Sequence, residues 1–495
     1  MARDQHISSA ERLLSYSDAV FSIITTIMIV PLGGETVEEI KSTEDLLEGV
    51  KSIWFKILVY ATTFVIVAST WSTHTSLFGY IEKVNESIIL LNLGVLMAST
   101  FLPFSFLMFA EHPTEPLAVV LFCASIVIAG TLMAGIAWQA YSRPNLLNED
   151  EARYGEIKSK RCRTMLMVLG KPVLALVAAG IGWIRIEAAW ALLVMVLLEP
   201  LLRQVIISLY YFGKGDGDTG CKVLLPSRLL VETTDTLRTR VYSDGVYAII
   251  ATLIILDICV ENVPSQEDDI AKHGDLITAL KHDQHVFMSY AGTFITICML
   301  WYLHHSIFYR IFAENPLLAF FNKLALMFAG LLPIVFKITG EFGKEVSAGD
   351  AAIAVQLNAG TVLFSSIWHL VMWIIVMKNK SKLLHRRFDD DDEDKYMNTF
   401  MIIRLCVYPT ISLLLFLLCF VPTWKFDSEV INWVQISTPG VFIIIKIVRN
   451  CVQRREDKKR PSEKEEEDPE MSYLPANKYN SKASNRVHEN DITAV

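Results

Sequence analysis

The stretch Arg12-Leu-Leu-Ser-Tyr16-Ser17-Asp18-Ala-Val-Phe-Ser-Ile23-Ile24-Thr-Thr26 decides the fold, because the chain contains it twice. The second copy, Arg238-Thr-Arg-Val-Tyr242-Ser243-Asp244-Gly-Val-Tyr-Ala-Ile249-Ile250-Ala-Thr252, stands 226 residues further on. Beyond it, Trp71 to Phe78 (WSTHTSLF) answers Trp301 to Phe308 (WYLHHSIF) at an offset of 230, and Asn92 and Pro103 meet Asn322 and Pro333 at the same offset. An offset that holds across two later segments, after a net insertion of four residues, is what gene duplication leaves behind.

Working outward, the 495 residues are 52% hydrophobic and 20% charged, with a mean hydropathy of +0.38. Soluble domains run at about 45–50% apolar, glycine included, and about 25% charged, so most soluble enzymes of this size are excluded. A membrane helix needs about 20 mostly apolar residues. Such runs fall near 17–33, 53–73, 86–110, 118–140, 164–182 and 186–210, then 242–260, 286–306, 317–338, 352–377, 399–421 and 432–450. The predicted fold is an all-α polytopic membrane protein of about twelve spans. Six spans per half is an even number, so both copies enter the membrane from the same side and the repeats are parallel. The expected organisation is a first six-helix repeat over 1–213, a cytosolic linker over 214–237, a second repeat over 238–451 and a disordered cytosolic tail over 452–495. No cleavable signal pattern precedes the first span, which reads as a retained signal anchor.

Lys and Arg gather in short cytosolic loops. Arg143, Arg153, Lys158, Lys160, Arg161 and Arg163 follow the fourth span; Lys378, Lys380, Lys382, Arg386 and Arg387 follow the tenth; Arg454, Arg455, Lys458, Lys459 and Arg460 follow the last. The segments after the first and seventh spans are acidic instead, with Glu38, Glu39, Glu44 and Asp45 in one and Glu267, Asp268 and Asp269 in the other. Both termini are therefore expected in the cytosol, the acidic loops on the far side, and the sequon at Asn85 on the side where it goes unused.

The net charge of −8 argues against nucleic acid as a partner. The eight Cys form no CxxC pair, so neither a disulfide framework nor a zinc site is indicated. GDGDTG at 215–220 fails as a calcium loop because its twelfth position is Ser227. The Asp389 to Asp394 run reads as a solvated acidic stretch. No P-loop, HExxH, GxSxG or dinucleotide fingerprint occurs in a credible context, so neither an enzyme nor a cofactor is expected. There is no TVGYG filter and no arginine-studded voltage sensor. Glu199 is either a coupling acid or an interfacial residue.

Asp18, His74 and Asn92 occupy similar depth and recur as Asp244, His304 and Asn322. Ionisable groups inside spans pair with one another. Arg12, Tyr16, Ser17, Asp18, Trp71, His74 and Asn92 are expected as one interhelical cluster, with Arg12 neutralising Asp18, and Arg238, Tyr242, Ser243, Asp244, Trp301, His304 and Asn322 as its copy. Glue between helices is the plainer role, and direct ion contact at Asp18 is the alternative. Ser22, Ile23, Thr26 and Val30 share one side of the first helix, and Ala248, Ile249, Thr252 and Leu256 answer them in the seventh. If these faces meet an axis, the isoleucines form a narrow apolar ring beside a hydroxyl layer, and such constrictions gate by dewetting. Ordinary helix packing accounts for the same spacing. Four first helices are needed to surround a pore, and a homodimer supplies them.

At the doubled RxxxYSD the chain resembles the endosomal and lysosomal potassium channel family of transmembrane protein 175. That family carries RxxxFSD at the start of each repeat, so Tyr16 and Tyr242 are mild departures. The resemblance covers about Arg12 to Arg449. It implies a homodimer with a pseudo-four-fold pore, an isoleucine constriction at Ile23 and Ile249 with a further apolar layer at Val30 and Leu256, and leak-type potassium selectivity without the usual filter. Proton permeation at acidic luminal pH is implied too, with Asp18 a candidate participant, as are control of organelle membrane potential and pH and the kinase Akt as a partner. Tyr154-Gly-Glu-Ile157 matches a short tyrosine sorting signal. A proton-coupled twelve-helix secondary transporter is the alternative, and a non-conducting scaffold the third reading. Transporters place matched Gly or Pro breaks in corresponding helices, and the seventh span has neither between Val246 and Asp257.

Overall fold

The computed structural model describes residues 8–43, 45–149, 151–152, 157–197, 234–261, 275–282, 284–342, 348–385, 391–421 and 429–459. The linker over 214–233, Glu199, the GDGDTG stretch, Tyr154, Asp389 and the tail beyond Lys459 lie outside them. Contacts divide the chain into one unit over Met1–Phe442 and a second over Ile443–Val495. Ten helices among the described residues are long and apolar enough to cross a membrane.

The first repeat holds α1 (Glu11–Ile27), α2 (Ile29–Lys41), α3 (Leu46–Ser52), α4 (Trp54–Phe78), α5 (Glu86–Thr100), α6 (Leu102–Glu111), α7 (Pro116–Ser142), α8 (Ile157–Gly182) and α9 (Ile186–Leu197). The second holds α10 (Leu237–Glu261), α11 (Leu276–His282), α12 (Gln284–Phe308), α13 (Pro316–Ala329), α14 (Leu332–Glu341), α15 (Ala348–Lys378), α16 (Lys380–Leu383), α17 (Asp391–Leu418) and α18 (Glu429–Lys459). The ten spans leave out α1, which is 17 residues long, and α9, which leads into residues outside the described set; these are the other two of the expected twelve.

Prolines explain where runs read as single spans divide. A proline lacks the N–H that the carbonyl four residues back would accept, and its ring crowds that carbonyl. Pro103 divides α5 from α6 at Phe101, and Pro333 divides α13 from α14 at the matching place. Pro31 divides α1 from α2 at Met28. Without glycine or proline from Val246 onward, α10 is unbroken over 25 residues. The acidic stretch after the first span, expected as a loop, is largely helical: it forms α2 and α3, with the Asp45 carboxylate accepting from the Leu47 N–H at 3.2 Å.

Short antiparallel pairs fasten the start of each repeat. β1 (Ser8–Ser9) pairs with β2 (Lys83–Val84), and β3 (Thr234–Asp235) with β4 (Ala313–Glu314), in equivalent registers. Directly after β2, the buried Asn85 side chain caps α5 by accepting from the Ile88 N–H at 3.0 Å, as Asn315 caps α13 from Leu318 at 2.8 Å.

The repeats interlock. α1 lies along α10, α2 against α14, α3 against α15 and α4 against α13. The Tyr60 hydroxyl donates to the Met327 carbonyl at 3.2 Å, beside Gly330, where a Cβ would fall 2.3 Å from that hydroxyl oxygen. Asp350, at the start of α15, accepts from the Leu46 N–H at 3.1 Å.

Candidate functional site

Ser17 and Asp18 are buried on α1, and Trp71 and His74, three residues apart, share a face of α4. Asp18 accepts from the Trp71 indole N–H at 2.8 Å. The His74 Nε2 meets Asn92 Oδ1 at 2.7 Å, and the Asn92 amide donates to Ser17 Oγ at 2.9 Å. Because an amide oxygen only accepts, Nε2 carries the imidazole proton and Nδ1 is left as an acceptor. The Arg238 guanidinium fills that vacancy at 3.3 Å and grips Asp18 through Nε at 3.0 Å and Nη2 at 2.5 Å.

That pairing corrects the expectation that Arg12 neutralises Asp18. Six residues along a helix amount to roughly 600° of turn, or about 240° round the axis, so Arg12 stands on another side of α1. Arg12 is exposed, and the cation on Asp18 comes from α10, from the other repeat. Tyr242, fully buried, completes the first network by stacking on Trp71 with ring centres 4.1 Å apart. Its hydroxyl bonds Thr25 Oγ1 at 3.0 Å, and its carbonyl accepts from Ser22 Oγ at 2.9 Å.

The second network repeats the side-chain bonds without the outer layer. Trp301 donates to Asp244 at 2.7 Å, His304 Nε2 meets Asn322 Oδ1 at 3.0 Å, and Asn322 donates to Ser243 at 3.1 Å. Asp244 is exposed and forms no ion pair among the described residues. His304 Nδ1 is buried without a partner. Trp301 is 38% exposed against 4% for Trp71, and Tyr16 is 55% exposed against 0% for Tyr242. One further pairing escaped the sequence: the Tyr247 hydroxyl meets His369 Nε2 at 3.2 Å, and His369 Nδ1 donates to the Ser365 carbonyl at 2.9 Å. The only signal was Phe21 changing to Tyr247 between copies.

The candidate channel face is divided. Ile23, Ile27 and Val30 form an exposed stripe, with Ile23 47% exposed. Ser22 and Thr26 are buried, and the Thr26 hydroxyl donates to the Ser22 carbonyl at 2.8 Å. On α10, Ala248, Thr252 and Leu256 are exposed and Ile249 is half-buried. No cluster of metal-ligating side chains occurs among the described residues.

A duplicated unit of membrane helices, carrying paired polar networks inside the membrane and a bare apolar stripe on its first helix, defines a two-repeat helical membrane protein. Residues 12–103 and 238–333 match the family described as endosomal/lysosomal potassium channel TMEM175. A curated relative, the endosomal/lysosomal proton channel TMEM175 of Gallus gallus, is 33% identical over 448 residues, 89% of this chain and 87% of the relative. The Homo sapiens protein of the same description is 30% identical over 483 residues, 95% of this chain and 94% of its own length. A solved structure, that of a lysosomal potassium-selective channel TMEM175 homolog from Chamaesiphon minutus, is 22% identical with a TM-score of 0.33, over 43% of this chain and 98% of that one. The chain belongs to the TMEM175 family. The relatives are named ion channels, not enzymes.

Proposed function

We propose that this chain forms a leak-type, potassium-selective cation channel of endosomes and lysosomes, also permeable to protons from an acidic lumen, which sets organelle potential and pH. The observation that carries it is the exposed stripe of Ile23 and Ile27 on α1, continued by Val30 at the start of α2, left uncovered among the described residues and answered on α10 by exposed Leu256 and half-buried Ile249. Two chains bring four such helices round one axis. Ile23 and Ile249 then form the constriction, Val30 and Leu256 a further apolar layer, and passing ions shed water before meeting the exposed hydroxyl of Thr252. Ser22 and Thr26, grouped with Ile23 by spacing, are buried and bonded within the chain instead of facing that path. The names of the family and its relatives support potassium and protons as the permeant ions and the endosomal and lysosomal location.

The open second network supports the dimer. Arg12 and Tyr16 of one chain are the counterparts of Arg238 and Tyr242, and they close on Asp244, His304 and Trp301 of the other chain. Asp18, held by Trp71 and Arg238, first serves to join helices; its role in proton passage is tested by Asp18→Asn, for which normal assembly with altered proton current supports the role. By family resemblance both termini face the cytosol and the kinase Akt is a partner. Breaks at Pro31 and, at matching places, at Pro103 and Pro333 are shared with transporters, but the helices that would line the pore carry no matched pair, since α10 is unbroken.

Patch recording from enlarged lysosomes tests the channel. Large currents that reverse near the potassium equilibrium potential, and shift when the lumen is acidified, are expected; small, saturating, coupled fluxes would overturn it.

A further inference from the structure

Around the pore proposed above, contacts between α1 and α10 come in two kinds: those within a chain, and those between chains, where the same pair of helices meets in the opposite assignment. The 226 offset maps every residue of one kind onto the other. Within a chain, Thr25 bonds the Tyr242 hydroxyl and Ser22 bonds its carbonyl. Gly245 leaves room for this, since a Cβ there would lie 2.7 Å from Ser22 Oγ. Between chains the same three places hold Ala251, Ala248 and Ala19. Neither alanine offers Tyr16 a hydroxyl to bond, and Ala19 fills the space the glycine leaves.

The pattern continues further along the helices. Within the chain, Tyr60 reaches the Met327 carbonyl past Gly330. At the 230 offset the counterparts are Tyr290 and Thr100, whose side chain occupies the gap the tyrosine would need. Three hydrogen bonds that tie the two repeats together therefore have no equivalent across the chain boundary. What remains there is the Arg12–Asp244 pair and the Tyr16–Trp301 stack, both near the start of α1.

We propose that the pore opens along the two seams between chains, hinging at the Arg12–Asp244 end, while α1 and α10 of one chain move as a single rigid pair. This rests on the dimeric channel proposed above. Opening is then two-fold, although the closed ring approximates four-fold symmetry. The alanine-lined seam is the surface that separates as the isoleucines move apart.

Two alterations in the full-length chain test this. Ala251→Thr gives the seam the hydroxyl that Thr25 supplies within the chain, and it is expected to lower lysosomal potassium current at least threefold. Adding Tyr16→Phe, which removes the hydroxyl it would bond, should restore the current. The second is a cysteine pair, Ala19→Cys with Ala248→Cys, which should give an oxidised dimer band and a current reduced at least fivefold, both reversed by dithiothreitol. A dimer band with unchanged current, or an Ala251→Thr effect that Tyr16→Phe leaves in place, would overturn the seam. A chain that stays monomeric by mass photometry in mild detergent and never cross-links would overturn the dimer itself, and the seam with it.

Discussion

The first network is finished inside its own chain; the second is not. Asp18 has an arginine and Trp71 has a tyrosine lid, whereas Asp244 and Trp301 face outward with the same inner bonds intact. The difference lies in position, since the residues recur in both copies, but α10 covers the first network while Asp244 and Trp301 of the second are left exposed. Duplication makes one set of these contacts intramolecular, which removes the cost of bringing separate chains together there; in the proposed dimer the other set forms between chains.

The hardest blow to this comparison comes from the two arginines. Arg238→Ala leaves the buried Asp18 carboxylate unpaired, at a cost of about 3–5 kcal/mol, and should abolish the folded peak in fluorescence-detected size exclusion. Arg12→Ala should leave the melting temperature of the single chain unchanged and reduce only the dimer fraction. Equal effects would mean that the two networks are not divided between cis and trans. Next in size, Ile23→Asn and Ile249→Asn should each raise resting current several-fold, because a polar side chain lets water persist at the constriction; a response from only one helix would remove the four-part ring.

Smaller effects sharpen the contrast. Gly330→Ala puts a Cβ against Tyr60, 2.3 Å from its oxygen, and should cost about 1–3 kcal/mol, read as a lowered melting temperature that Tyr60→Phe partly restores. Thr100→Ala, its counterpart, should fall within about 0.5 kcal/mol of the parent. Smallest of all, Thr25→Ala loses one hydrogen bond to Tyr242, about 1 kcal/mol, and differential scanning fluorimetry should resolve it only as a slight shift.

The inner bonds were legible in the sequence. Trp71 to Asp18, His74 to Asn92 and Asn92 to Ser17 all join residues that recur together at similar membrane depth, where burial obliges polar groups to find one another. The exchange of Arg12 for Arg238 was not legible, because an offset states which residues correspond and says nothing of which helices touch. For the same reason Ser22 and Thr26 were grouped with Ile23: neighbours about 100° apart on a helix can fall on either side of a packing boundary, and only the position of α10 settles it. Hydropathy counted α1 and α2 as one span because it weighs Pro31 as a residue and not as a missing donor. His369 has no counterpart in the first repeat, so repetition gave no reason to single it out.

The cap at Asn85 bears on the biogenesis of the chain. Asn85-Glu86-Ser87 is an acceptor sequence for N-linked glycan, yet its side-chain amide is enclosed and its oxygen occupied as soon as α5 starts. The α4–α5 connection is also expected on the cytosolic side, away from the glycosylation machinery. A glycan at Asn85, seen as a mass increase removable by glycosidase, would therefore mark only copies that had entered the membrane in the opposite orientation and left the cap unformed.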